Sequence, residues 1–160
     1  MVERIYFLRH GVAVEPEEWN NPNDEIRPLT PNGIEAMKRQ AKYLRETKLK
    51  VDAIVASPLV RAHETAKIVA KVFDLEVVES DLLKPGFNLT ALGKLVKECA
   101  PAQRLMIVGH EPDFSSVIGQ LIGGGNVEMR KGGLARIDIT SQRPLRGQLI
   151  ALLTPKYMNA

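Results

Sequence analysis

Short strand-like runs alternate along this chain with amphipathic stretches of helical length. That alternation restricts it to a mostly parallel sheet covered by helices on both faces. The predicted strands are Arg4 to Leu8, Val51 to Ala56, Glu76 to Val78 and Leu105 to Val108. Ile5 to Leu8 and Leu105 to Val108 are apolar throughout and too short for helices, the mark of strands buried on both faces. Between the strands, Thr30 is a capping residue, Pro31 suits a first helical position, and Ile34, Met37, Ala41 and Leu44 recur at helical spacing. Ser57 and Pro58 repeat that signature and predict a second helix from Pro58, with Leu59, Ala62, Ala66, Val69 and Phe73 on its buried stripe. A third helix is expected over Leu89 to Glu98, and a fourth runs through Phe114, Val117, Ile118 and Leu121 to a stop at Gly123 to Gly125. The rhythm then changes to two strands, Leu134 to Ile139 and Gln148 to Leu153, joined by the turn-rich SQRPLRG, so a hairpin completes one edge. The expected fold is α/β, a three-layer sandwich with a mostly parallel central sheet and an edge hairpin. At 160 residues it is expected to be a single domain over 1–160.

Composition narrows the function classes. The chain carries 22 Lys and Arg against 19 Asp and Glu, scattered rather than clustered, and aromatics make up 5%. A nucleic-acid binder would gather its cations on a stripe with aromatics between them, so no nucleic-acid partner is expected. Cys99 is the only cysteine, which leaves no internal disulfide and no cysteine clip for a metal. No apolar run approaches the ~18 residues that span a bilayer, and the start lacks the pattern of a signal peptide. No membrane partner is expected, and the cytoplasm is the expected location.

Chemistry gathers at the strand ends. In open α/β sheets, ligands bind beyond the carboxyl ends of parallel strands, which lie side by side. Arg9 and His10 follow the first strand, Ser57 and Arg61 the second, Gly109 and His110 the fourth. Two imidazoles with two guanidiniums suit phosphoryl transfer. An arginine fork matches phosphate oxygens and stays charged, while a neutral imidazole can attack phosphorus and carry the phosphoryl group. Gly11 lets the backbone approach a ligand closely. The loop from Val12 to Leu29, containing EPEEWNNPNDEIRP, has the length of a functional loop. His63 reads as a helix residue with no partner group. Ile122 to Gly133 reads as a helix stop and flexible turn, since it lacks the glycine-lysine-serine ending of a phosphate loop.

Three stretches in order, LRHG at Leu8 to Gly11, SPLVRAHETA at Ser57 to Ala66 and VGH at Val108 to His110, resemble the histidine phosphatase superfamily with its phosphoglycerate mutase-like fold. The short length and RPLTPNG at Arg27 to Gly33 are similar to its SixA-type phosphohistidine phosphatases. The resemblance implies a phosphatase that needs no metal or cofactor. His10 would be the nucleophile, phosphorylated on Nε2, with Arg9, Arg61 and His110 around the phosphoryl oxygens. Arg27 is either a further phosphate or substrate contact or an anchor of its loop on Asp24. Ser57 is a helix cap, with a contact to Arg61 or His110 left open. Where ester-cleaving members carry a glutamate that donates a proton, ESDLLKPGFN has Leu82 or Leu83, with Glu79 and Asp81 nearby. An imidazole leaving group needs a proton less than an alkoxide does, which favours phosphohistidine in a protein, such as a histidine phosphotransfer domain or a phosphocarrier. The alternatives are a phosphatase for small phosphate esters with Glu79, Asp81 or Glu15 as proton donor, a zinc site on His10 and His110 with Glu111 or Asp113, and a phosphopeptide-binding module.

Overall fold

The computed structural model describes residues 1–158. Its six-stranded sheet contains β1 (Arg4–Arg9), β2 (Ala53–Ala56), β3 (Val77–Glu79), β4 (Arg104–Gly109), β5 (Leu134–Gln142) and β6 (Leu145–Leu153), in the order β3-β2-β4-β1-β5-β6. β4 pairs in parallel with both β1 and β2, and β2 pairs in parallel with β3. β5 runs antiparallel to β1 and β6 antiparallel to β5, so the expected hairpin forms one edge.

Successive side chains of a strand point to opposite faces. The apolar run of β1 therefore feeds two cores at once. Ile5 and Phe7 pack with Leu92 and Leu95 of α3 (Leu89–Glu98) and with Phe114, Val117 and Ile118 of α4 (Asp113–Leu121). Tyr6 and Leu8 pack with Met37, Ala41 and Leu44 of α1 (Pro31–Glu46) and with Ala62, Ala66 and Val69 of α2 (Val60–Phe73). The result is the three-layer sandwich with helices on both faces. Thr30 caps α1 as expected, its side chain accepting the Gly33 N–H at 2.9 Å.

Several boundaries differ from expectation. α2 begins at Val60, not Pro58, because the Ser57 N–H still donates to the Val108 carbonyl at 3.0 Å in the extension of the sheet. Ser57 Oγ accepts the Leu59 N–H at 3.2 Å, so Ser57 closes a local turn and does not cap the helix. Leu59 precedes the helix in extended conformation. β2 begins at Ala53 instead of Val51, and β3 lies one residue later than expected. Most of SQRPLRG belongs to strands: at a sheet edge, polar residues face water while their backbone continues the ladder. A short helix, α5 (Pro155–Met158), follows the hairpin.

Candidate active site

Register brings the chemically loaded ends of the parallel strands level. Arg9 lies opposite Gly109, Ala56 opposite Val108, and the His10 N–H donates to the Gly109 carbonyl at 3.1 Å. Side by side at this edge, His10 and His110 have ring centroids 5.4 Å apart. Both are buried, as is Arg61 on the first turn of α2. They share a cavity of about 290 Å³ with Arg9, Arg27, Glu15, Pro85, Glu111 and Lys131. Hollows of about 740 and 850 Å³ open elsewhere and hold none of these groups.

The hydrogen bonds of His10 define its tautomer. Its Nδ1 lies 2.7 Å from the Gly11 carbonyl, which can only accept, so Nδ1 carries the proton and Nε2 the lone pair. Burial pushes the pKa of His10 down to about 3, with His110, Arg61 and Arg9 lowering it further and the bond to Gly11 opposing. Burial likewise lowers His110 to about 4, helped by Arg61. Both rings are neutral at physiological pH. His110 Nε2 lies 2.8 Å from Ser57 Oγ, which settles the contact the sequence left open: Ser57 reaches His110.

The arginines are held from behind. Arg9 donates Nη1–H to the Met129 carbonyl at 2.9 Å. Arg61 donates Nη1–H to the Asp24 carbonyl at 3.0 Å and Nη2–H to the Asp24 carboxylate at 3.1 Å. The same carboxylate accepts Arg27 Nε–H at 2.7 Å, and Arg27 Nη1–H goes to the Val14 carbonyl at 2.6 Å. Arg27 thus both anchors its loop on Asp24 and lines the cavity. Burial lowers the pKa of Arg9 and Arg61, yet both guanidiniums remain cations at neutral pH. Asp24 is held below the usual carboxylate range by its hydrogen bond from Arg27, with Arg61 adding to the effect. Among the described residues, the buried side-chain nitrogens without a partner are Arg9 Nε, Arg61 Nε and His110 Nδ1, all belonging to this cavity. Buried polar groups are normally satisfied, and three residues of this cavity wall each carry one that is not, as does Gln40, through Oε1, outside it.

Other expectations fall outside the cavity. His63 has a partner after all: its Nδ1 lies 3.1 Å from the Glu79 carboxylate, on the exposed side of α2, because β3 ends directly beside that helix. Glu79 and Asp81 do not line the cavity; Asp81 is exposed beside Lys84 at 3.8 Å. Leu83 is wholly buried in the core, Leu82 packs against it, and the segment sends only Pro85 into the cavity wall. Glu111 takes both the N–H and the hydroxyl of Ser115, and Asp113 accepts the Gly86 N–H at 2.8 Å. Asp113 lies outside the cavity while Glu111 lines it with its carboxylate spent on Ser115, and among the described residues no group of three or more His, Cys, Asp or Glu is placed to hold a metal ion.

The segment Ile122 to Gly133 does more than stop a helix. Arg9 N–H donates to the Gly133 carbonyl, Gly132 N–H donates to the carbonyls of Arg9 and His10, and Lys131 lines the cavity. These contacts are made mostly by backbone, which leaves no side-chain signature to read. Gly132 has φ +76°, a conformation that favours glycine, and that is the trace the sequence carried.

Residues 5–85 match the histidine phosphatase superfamily (branch 1), and the chain belongs to this family of phosphatases. The phosphohistidine phosphatase SixA of Escherichia coli K12 is 26% identical over 95% of this chain and 74% of its own length. A structure of the protein histidine phosphatase SixA complexed with tungstate superposes with a TM-score of 0.84 at 19% identity, covering 97% of this chain and 99% of that one. The alpha-ribazole phosphatase of Shigella flexneri shares the fold with a TM-score of 0.75 at 19% identity, over 95% of this chain and 96% of its own. No helix among the described residues is long and apolar enough to cross a membrane.

Proposed function

We propose that this phosphatase removes phosphate from phosphohistidine in a protein, a histidine phosphotransfer domain or a phosphocarrier, through a covalent intermediate on His10 that needs no metal ion. The observation that carries this reading is the 2.7 Å bond from His10 Nδ1 to the Gly11 carbonyl, which leaves a lone pair on Nε2 of a neutral ring among two arginines. In the first step Nε2 attacks phosphorus, the P–N bond to the substrate imidazole breaks, and that imidazole keeps the electron pair. Water then attacks the phosphoryl group on His10, inorganic phosphate leaves, and Nε2 regains its lone pair. Arg9 and Arg61 bear on the phosphoryl oxygens with the N–H groups they do not spend on Met129 and Asp24, since each guanidinium has five. His110, through its unpartnered Nδ1, and Arg27 complete the wall.

The name of the Escherichia coli relative supports phosphohistidine as the substrate, and the tungstate-bound SixA, named a protein histidine phosphatase, supports its being in a protein. A second reading, a phosphatase of small phosphate esters, is favoured by Glu15 and Glu111 at the cavity wall, where a carboxyl group can serve an alkoxide. The test is brief exposure to a phosphorylated histidine phosphotransfer domain, followed by mass spectrometry for an acid-labile phosphate. The expected label sits on His10. His10→Ala is expected to lose the label and all turnover while its circular dichroism stays that of wild type; turnover retained in that variant would overturn the covalent route.

A further inference from the structure

We infer that Thr65 is the residue that positions the nucleophile, by fixing the backbone of Gly11 and through it the tautomer of His10. The inference rests on the reading of His10 as nucleophile and names what holds it in that state. Space at Gly11 is tight: a Cβ there would lie 2.7 Å from Met37 Cγ and 3.1 Å from its sulfur. A glycine has the widest conformational freedom of any residue, which is a poor neighbour for a ring that must keep one orientation. Something outside the loop has to hold it.

Thr65 lies in α2 with no exposed surface. Its hydroxyl donates to the Arg61 carbonyl at 2.8 Å, the ordinary bond of a helical threonine to the residue four before it. The less ordinary bond is the second: the same oxygen accepts the Gly11 N–H at 3.0 Å, across 54 residues of chain. Because the hydroxyl proton is committed to Arg61, the lone pair facing Gly11 has a fixed direction. With the Gly11 N–H held, its carbonyl stands 2.7 Å from His10 Nδ1 and takes that proton. Three consecutive hydrogen bonds therefore run from the backbone of Arg61 to the ring of His10. A phosphate-facing arginine and the nucleophile are tied to the same turn of α2.

The test compares Thr65→Val, which keeps the shape and loses both bonds, with Thr65→Ser, which keeps the hydroxyl. Turnover of an aryl phosphate and of a phosphorylated histidine phosphotransfer domain is measured where circular dichroism shows every variant folded. The nitrogen-15 shifts of the His10 ring are recorded alongside. In Thr65→Val, kcat is expected to fall by about ten- to a hundredfold, the size of effect that a small misplacement of a reacting group produces. KM and the inhibition constant of inorganic phosphate should stay within about threefold, since the arginines remain in place. The ring shifts should change from those of a single Nδ1-protonated tautomer to those of a mixture, and Thr65→Ser should return all readings close to wild type. A folded Thr65→Val variant with wild-type kcat and a single tautomer overturns the inference, and so does a serine variant no better than valine. If wild type turns over neither substrate, the phosphatase reading fails by itself while the ring shifts still decide the role of Thr65. Should Thr65→Val not fold, Thr65→Ala, which loses the same two bonds, carries the same expectations.

Discussion

Burial sets the charge of both histidines before any phosphate arrives. With His10 near pKa 3 and His110 near 4, neither takes up a proton as pH falls through 6.5, where an exposed imidazole does. Two consequences follow from the sign of these shifts. For activity, once the substrate's own ionisation near about pH 6 is removed, kcat/KM should show no enzyme limb between pH 5 and 8. A limb near 6.5 would mean that His10 is solvated. For stability, the unfolded chain binds protons below pH 6.5 that the fold refuses, so stability present above 6.5 is lost as pH falls toward 3. Each histidine contributes a slope of about 1.4 kcal/mol per pH unit at most. Denaturant unfolding of His10→Gln should therefore lose less stability than wild type between pH 6.5 and 4.5; equal slopes would show that His10 ionises alike in both states. In the proposed reaction the arginines bear on the phosphoryl oxygens. Arg9→Ala and Arg61→Ala should each raise the transition-state barrier by about 2–4 kcal/mol, the effect of losing one donor to a developing anion. A wild-type kcat/KM in either variant would place that arginine outside the chemistry.

At the scale of elements, the site depends on how closely α1 and α4 approach the loops that follow the strands. Gly33, in the first turn of α1, faces the Val12 carbonyl so closely that a Cβ would lie 2.1 Å from it. Gly33→Ala must push that backbone aside, next to Gly11, and should cost about 1–3 kcal/mol in chemical denaturation. Gly93, inside α3 with nothing within 4 Å of a Cβ, is the contrast: Gly93→Ala should stabilise by about 0.5–1 kcal/mol through helix propensity alone. If both variants moved stability the same way, close packing would not be what distinguishes them. The same elements show what a sequence discloses. β1 and β4 were legible because strands buried on both faces are unbroken apolar runs, and a parallel sheet then forces Arg9, His10, Arg61 and His110 to one edge. The start of α2 was not, because the Ser57-Pro58 capping pattern competed with a sheet hydrogen bond to Val108 that no local pattern reveals. Met129, Gly132 and Gly133 serve the site through backbone groups, and Thr65 through a hydroxyl hidden in a helix stripe. Apart from Gly132, none of these advertises itself in residue type.

At the scale of the whole molecule, the shape of the cavity wall bears on which phosphates react. The segment that held Glu79 and Asp81 as candidate proton donors places Leu83 in the core, Glu79 on His63 and Asp81 in water, and offers the cavity Pro85. The carboxylates that do line it are engaged: Glu111 spends both oxygens on Ser115, and Glu15 lies 3.7 Å from the Lys131 ammonium. A leaving imidazole or phenoxide departs without much help, whereas an alkoxide needs a proton in the transition state, and general acid help is typically worth about 10²- to 10⁴-fold. Phosphohistidine and aryl phosphates should therefore react at least about a hundredfold faster in kcat/KM than alkyl phosphates such as phosphoglycerate. The measurement is a series of phosphate esters of graded leaving-group pKa on the wild-type enzyme, where a steep decline is expected. A flat series would mean that an acid reaches the leaving oxygen, and Glu15→Gln and Glu111→Gln would then separate the two candidates. Whichever substitution turns the flat series steep removes the donor, and the small-ester reading would replace the phosphohistidine one.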